Sequence, residues 1–473
     1  MHTTSGGIRR IGATVTAVAL ALLGSVALAA PASAADNVPT ADGMLTIHKF
    51  EQPLVPGGLN NSGEPLADTS GWVPLTGVDF TIQQIADVDL ETTEGWELAA
   101  DYAADPSTAD SLGVATTVTT GTNGSIATTL PIGAYLVTEI ASPGATLPGG
   151  DTANITMTAA PFVVTVPVPT GDGTWNSDVH VYPKNSLSAI TKAPGTPSTL
   201  GLGATLPWTI EVKIPTLTAG DTFTQLDIAD TLVDQLAYAG APALTIDGAP
   251  IAFTDSTSGQ DVLLSVTDFA MLTANQGKTL TVTFNTTVEG AGAIANTASV
   301  VINGSTPIES GATSSYWGQI QIVKHAEGNE DTRLAGAVFT VHSSETDGTS
   351  GANAIVVDGQ EEFTTGADGT IVIPGLFVGN EATSTATYWL HEVEAPAGYT
   401  VNPVAIPVSL SADALDAATA ILVPNPQVSA ITLPVTGGDG TMALMIGGGG
   451  LLLLAAGAAL VIARRRPVEP AAH

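Results

Sequence analysis

Six lysines are the only amines along this chain, and one of them is set in an unusual frame. Lys184 follows Pro183 in the run Trp175-Asn176-Ser177-Asp178-Val179-His180-Val181-Tyr182-Pro183-Lys184-Asn185. Proline has a fixed φ and biases the preceding Tyr182 away from helix, so Lys184 is expected on a stiff, extended segment at the edge of a domain. An exposed amine presented in this way suits aminolysis, the capture of an activated carbonyl by nitrogen; the alternative is an ordinary solvated lysine at a strand end. Other chemistries find little support. The seven histidines are scattered, without metal-ligand spacing. Asp255-Ser256-Thr257-Ser258-Gly259 reads as a loop, so no metal site is assigned. Structural calcium is compatible with the acidic loops but is not localised. No acid, base and nucleophile cluster suggests a hydrolase.

The two ends place the protein. Arg9 and Arg10 precede an apolar run from Ile11 to Ala29 and the small residues Ala32-Ser33-Ala34, which reads as a secretory signal peptide over residues 1–34. A membrane anchor is the alternative, but the run is short for a bilayer span and an A-x-A pattern follows it. At the other end stand Leu433-Pro434-Val435-Thr436-Gly437, an apolar stretch over 442–463, and Arg464, Arg465 and Arg466. The stretch is long enough to span hydrocarbon, and the arginines hold its end in the cytoplasm. This tail resembles the LPXTG cell-wall sorting signal. The resemblance implies that a sortase cysteine cleaves between Thr436 and Gly437 and keeps Thr436 as a thioester until an amine takes it.

A secreted chain would ordinarily be stapled by disulfides, yet this one has no cysteine. Acidic residues outnumber basic ones 45 to 12, a net charge of −33 that repels nucleic acid and anionic lipid and so argues against both as partners. Abundant Thr, Val, Ala, Gly and Pro read as β-structure joined by turns rather than as helices.

Those strands must position the candidate residues. Leu45-Thr46-Ile47, Phe80-Thr81-Ile82 and Tyr135-Leu136-Val137 are short alternating segments, as in a sandwich. Leu75-Thr76-Gly77-Val78-Asp79-Phe80-Thr81 recurs as Leu334-Ala335-Gly336-Ala337-Val338-Phe339-Thr340. Tyr135-Leu136-Val137-Thr138-Glu139 recurs as Tyr388-Trp389-Leu390-His391-Glu392. The first and last thirds therefore look like copies of one module. Between them Trp208 to Ile214, Leu226 to Asp230, Leu280 to Phe284 and Ala298 to Ile302 also alternate. The expected class is all-β, with three tandem immunoglobulin-like, collagen-adhesin-type β-sandwich domains over 35–187, 188–315 and 316–430, and the sorting signal over 431–473.

The run ending in Asn185 matches the pilin motif W-x-x-x-V-x-V-Y-P-K-N at every fixed position, and the whole chain resembles the Gram-positive shaft pilins, the SpaA type and the actinobacterial fimbrial subunits. The resemblance implies that Lys184 of one subunit attacks the Thr436 thioester of another, and such head-to-tail contacts form an open filament. It also implies spontaneous Lys–Asn amides inside the domains. Tyr388 to Tyr399 resembles the E-box Y-x-L-x-E-T-x-A-P-x-G-Y, with Val393 in place of threonine. By that match Glu392 is the catalytic acid, Lys324 the amine and Asn425 the amide. In the middle domain Asp230, Lys192 and Asn296 fill these roles by position, with Lys213 as the competitor for Lys192. Lys49, Glu139 and Asn185 offer the same order in the first domain, where the flanking Ala141-Ser142-Pro143-Gly144 only approximates the E-box end. These are single-turnover events, so the chain is not read as an enzyme and no cofactor is called for.

The leading reading is a secreted structural pilus subunit, anchored to the cell wall of a Gram-positive bacterium and supporting adhesion. Its expected partners are its own copies, a pilus-specific and a housekeeping sortase, minor or tip pilins and peptidoglycan, with the host or bacterial receptor unidentified. A monomeric wall-anchored adhesin or pilus tip is the alternative, but has no use for Val-Tyr-Pro-Lys-Asn.

Overall fold

A computed structural model describes residues 38–55, 62–415 and 417–429. The expected signal peptide (1–34), the LPVTG pentapeptide with Thr436 and Gly437, and the apolar tail lie outside the described residues. Those described form two compact units, one of residues 38–187 with 216–219, the other of 188–215 and 220–429.

In the first unit, alternation along the strands generates two packed layers. Asp79–Gln84 buries Phe80 and Ile82 and turns its neighbours outward. It pairs antiparallel with Thr116–Thr119 on one side and Gly133–Glu139 on the other, and Phe162–Val166 completes that sheet. Facing it, Gly43–His48 pairs antiparallel with Ser125–Leu130 and parallel with Asp178–Val181. Leu45 and Ile47 meet Phe80, Ile82 and Val137 in one core. A short third sheet joins Lys184–Leu187 to Phe50–Glu51 in parallel and to Ile155–Met157 antiparallel.

One local expectation is corrected here. Thr93–Ala104 is a helix, capped by the Thr92 hydroxyl, which accepts from Gly95 N at 3.0 Å. It closes a second small core of Ile85, Val88, Leu90, Ala99, Tyr102 and Ala134. Its Glu, Leu and Ala residues favour helix, a signal that the β-rich composition of the surrounding chain obscures.

The second unit holds two sandwiches. One five-stranded sheet runs in the order Ile190–Pro194, Thr205–Lys213, Thr279–Val288, Leu236–Ile246, Ala249–Pro250. Its partner runs Phe253–Asp255, Asp261–Val266, Leu226–Thr231, Ser299–Ile302, Ile308–Glu309. Leu206, Trp208, Ile210 and Val212 all face the core, whereas Glu211 is exposed.

The last sandwich is organised by one long strand, Thr313–Ala326. Its first half pairs with Gly292–Asn296 from the middle sandwich, and its second half with Thr370–Gly379 and, in parallel, with Thr419–Asn425. The opposing sheet is Phe363–Thr364, Val338–His342, Thr385–Glu394 and Ile406–Ser411. The boundary read at Ser315 thus falls inside a continuous strand. Around it the loop 195–204 lodges in the last sandwich. Phe377 N donates to Leu200 O and Asp358 N to Leu202 O, each at 2.9 Å, and both leucines pack on the last core. The fold class is all-β, as expected, with helix confined to short insertions such as Thr93–Ala104.

Candidate functional site

In the last sandwich Lys324 lies on Thr313–Ala326 and Asn425 on the parallel neighbour Thr419–Asn425. Lys324 is level with Val423 and Asn425 with Ala326, a two-residue offset that puts both side chains on one face. Glu392 reaches them from the opposing sheet, beside Phe339 in register. None of the three is exposed by more than 1%. Lys324 Nζ donates to Asn425 Oδ1 and lies 3.2 Å from Glu392 Oε1, while Asn425 Nδ2 donates to the same oxygen at 2.8 Å. Asn402 N donates to Glu392 Oε2 at 2.7 Å.

The first sandwich repeats this arrangement. Lys49 Nζ donates to Glu139 Oε2 at 2.6 Å and to Asn185 Oδ1 at 2.5 Å, and Asn185 Nδ2 donates to Glu139 Oε1 at 2.5 Å. A backbone amide again holds the acid, here Ala159 N to Glu139 Oε2 at 3.1 Å. The amine also stands over the same ring of the repeated module, 5.6 Å from Phe80 for Lys49 and 5.7 Å from Phe339 for Lys324. The approximate E-box end does not prevent this assembly.

In the middle sandwich Lys192 Nζ is paired with Asp230 Oδ2, buried beneath Trp208 at 4.6 Å and Phe284 at 5.5 Å. Asn296 is 3% exposed, and its amide atoms, like Asp230 Oδ1, have no aligned hydrogen-bond partner. Lys213 is in register with Thr279 on the solvent-side parity of its strand, so it is Lys192 that meets Asp230.

Burial sets the chemistry. It pulls Lys49 and Lys192 down to about 8 against the opposing pull of Glu139 and Asp230, and it lowers Lys324 against Glu392. Asp230 is raised by the same loss of water, against Lys192. An amine and an acid shifted toward each other in this way can exchange the proton and leave a neutral nucleophile beside a neutral carboxyl. The amine nitrogen can then attack the asparagine side-chain carbonyl carbon. As the new C–N bond forms the old one breaks, and the carboxyl hands the lysine proton to the departing nitrogen, which leaves as ammonia.

Lys184 sits one residue before Asn185 and points to the opposite side of its strand. It is half-buried rather than fully free. Its amine donates to Tyr182 O at 2.9 Å and lies 4.5 Å from the centre of the Trp72 ring. Burial lowers its pKa. Nothing local in the sequence announces Trp72, which arrives from a loop 112 positions earlier. The lysine also opens onto a groove of about 650 Å³, lined by Trp96, Ala99 and Ala103 of the helix and by His180 and Tyr182 of the motif. Beside it His48 Nε2 and His180 Nδ1 share a hydrogen bond of 2.8 Å, and the His48 ring stacks on Tyr182 at 4.7 Å.

Among the described residues no group of three or more His, Asp or Glu is placed to hold a metal, and no helix is long and apolar enough to cross a membrane. Asp255 Oδ1 accepts from Thr257 N at 3.0 Å within its own loop.

Residues 40–186 match the family described as the Gram-positive pilin subunit D1, N-terminal domain, and residues 318–421 match the SpaA prealbumin-like fold domain. The chain is 29% identical to the fimbrial subunit type 2 of Actinomyces naeslundii, over 94% of each chain. It is also 29% identical to the fimbrial subunit type 1 of Actinomyces viscosus, over 92% of this chain and 93% of that one. Its fold is similar to that of the full-length major pilin SpaD from Corynebacterium diphtheriae, with a TM-score of 0.68 at 23% identity, covering 83% of this chain and 99% of the other. The matched domains, the relatives and the sandwich architecture therefore agree that this chain is similar to Gram-positive pilins, in its first and last sandwiches by family and along most of its length by likeness to fimbrial subunits.

Proposed function

We propose that this chain is the structural shaft subunit of a covalent fimbria, polymerised by a class C-type sortase through an amide between Lys184 of one copy and Thr436 of the next, and finally fixed to peptidoglycan. The observation that carries the reading is the division of labour between two adjacent residues. Asn185 faces a buried lysine and glutamate, whereas the half-buried Lys184 lies on the opposite side of the strand and lines a surface groove. The inward triad closes Lys49 to Asn185, and the corresponding sets close Lys192 to Asn296 and Lys324 to Asn425, with Glu139, Asp230 and Glu392 as the acids. These three amides take the place of disulfides in a chain without cysteine. Each forms once, during maturation.

The test is incubation of the secreted chain with a pilus-type sortase. A ladder of covalent multimers resistant to SDS is expected, with Lys184–Thr436 peptides recovered from its bands. A single band would mean a monomeric adhesin or tip protein instead.

A further inference from the structure

The segment 62–73 runs along the pilin motif and is fastened to it at successive points. Gly63 O accepts from His180 N at 2.8 Å and from Asn176 Nδ2 at 2.9 Å. Leu66 N donates to Tyr182 Oη at 2.8 Å. Trp72 then lies against the Lys184 amine. The indole is itself held in place. Glu51 N donates to Val73 O at 2.8 Å, Phe50 pairs with Pro74, and the Trp72 ring meets Phe50 edge-on at 5.3 Å and Tyr182 at 6.5 Å. Because Lys184 pairs with Phe50 on the other side of the same short strand, ring and amine share one register.

We propose that Trp72 is a positioning residue for polymerisation, its indole face holding the Lys184 ammonium in one orientation for delivery to the sortase thioester. The inference rests on the reading of Lys184 as the polymerising amine. A lysine stem is flexible, and this chain offers 45 carboxylates that would draw its charge elsewhere. Among the described residues the amine is instead held by one ring and one carbonyl. A ring attracts the cation and has far less hold on the neutral amine. Once the ammonium gives its proton to a base in the sortase site, the nucleophile is therefore released from the indole at the moment it is needed.

The experiment compares the full secreted chain with Trp72→Phe and Trp72→Leu as amine substrates for a pilus-type sortase, at saturating sorting-signal peptide. Trp72→Leu should lower kcat roughly tenfold, the scale of a cation–π contact, with KM little changed, and Trp72→Phe should restore most of the rate. Equal rates for all three proteins, or equal losses for Phe and Leu, would overturn the proposal, since loop packing alone does not distinguish a ring from an aliphatic chain of similar bulk. Should either variant fold poorly, the wild-type protein decides. With its lysines reductively ¹³C-methylated, the Lys184 signal should be displaced upfield by the ring current, and an undisplaced signal would overturn the proposal. Lys184→Ala in the same assay checks the underlying reading by itself: if that variant still acts as the amine, the error lies there and not in Trp72.

Discussion

A lysine, a carboxyl and an asparagine in contact are inert in water and reactive in an apolar interior, so the acid at position 392 should decide whether the last sandwich matures. Glu392→Ala is expected to retain the mass of one ammonia relative to the wild type and to lose the Lys324–Asn425 peptide from a digest. The two ends of that bond are 101 residues apart. By chain entropy, its absence should cost roughly 4.7 kcal/mol in chemical denaturation. A second residue-scale prediction concerns His48, whose pKa is lowered by burial first and by His180 second. Below the ordinary histidine value the unfolded chain takes up a proton that the folded chain resists, so stability falls as pH drops through about 6.5. The denaturation midpoint of the wild type should therefore decline between pH 7.5 and pH 5 more steeply than that of His48→Phe.

Among the elements, the strand Thr313–Ala326 and the loop 195–204 join two sandwiches that the sequence presents as separate domains. Alternation finds strands but not their continuation across a boundary, because pairing with Gly292–Asn296 and with Thr370–Gly379 is a long-range matter. The same parity argument did discriminate well at short range, where it set Lys213 apart from Lys192. The glutamates and Phe80 and Phe339 were legible as equivalent positions in the repeated module. The assembly of Lys49, Glu139 and Asn185 was harder to read, because its flanking turn departs from the E-box although the strands beneath it do not. Gly201 lies so close to Val356 and Val357 that an added Cβ would meet the Val356 carbonyl. Gly201→Ala should destabilise the second unit by about 1–3 kcal/mol. In calorimetry it should split one transition into two.

For the molecule as a whole, the pilin motif and the ends carried the functional reading, while the setting of the Lys184 amine could only come from the tertiary fold. Lys184→Ala should abolish the multimer ladder and leave all three ammonia losses in the monomer mass, because its side chain faces away from the triad that Asn185 joins. The converse substitution, Asn185→Ala, should keep Lys184 available but remove one ammonia loss.

The three asparagine partners also stand at particular places along the chain. Were copies joined through Lys184 and Thr436 and the internal amides formed, as proposed, tension arriving at Thr436 would cross from Asn425 to Lys324, follow the backbone back to Asn296, cross to Lys192 and leave at Lys184. The spans 193–295 and 325–424 hang outside that route, and so does everything before Lys184. A fibre built this way behaves as a nearly inextensible cable: pulling cannot reel out the 101-residue loop, which would otherwise lengthen each subunit by roughly 330–360 Å.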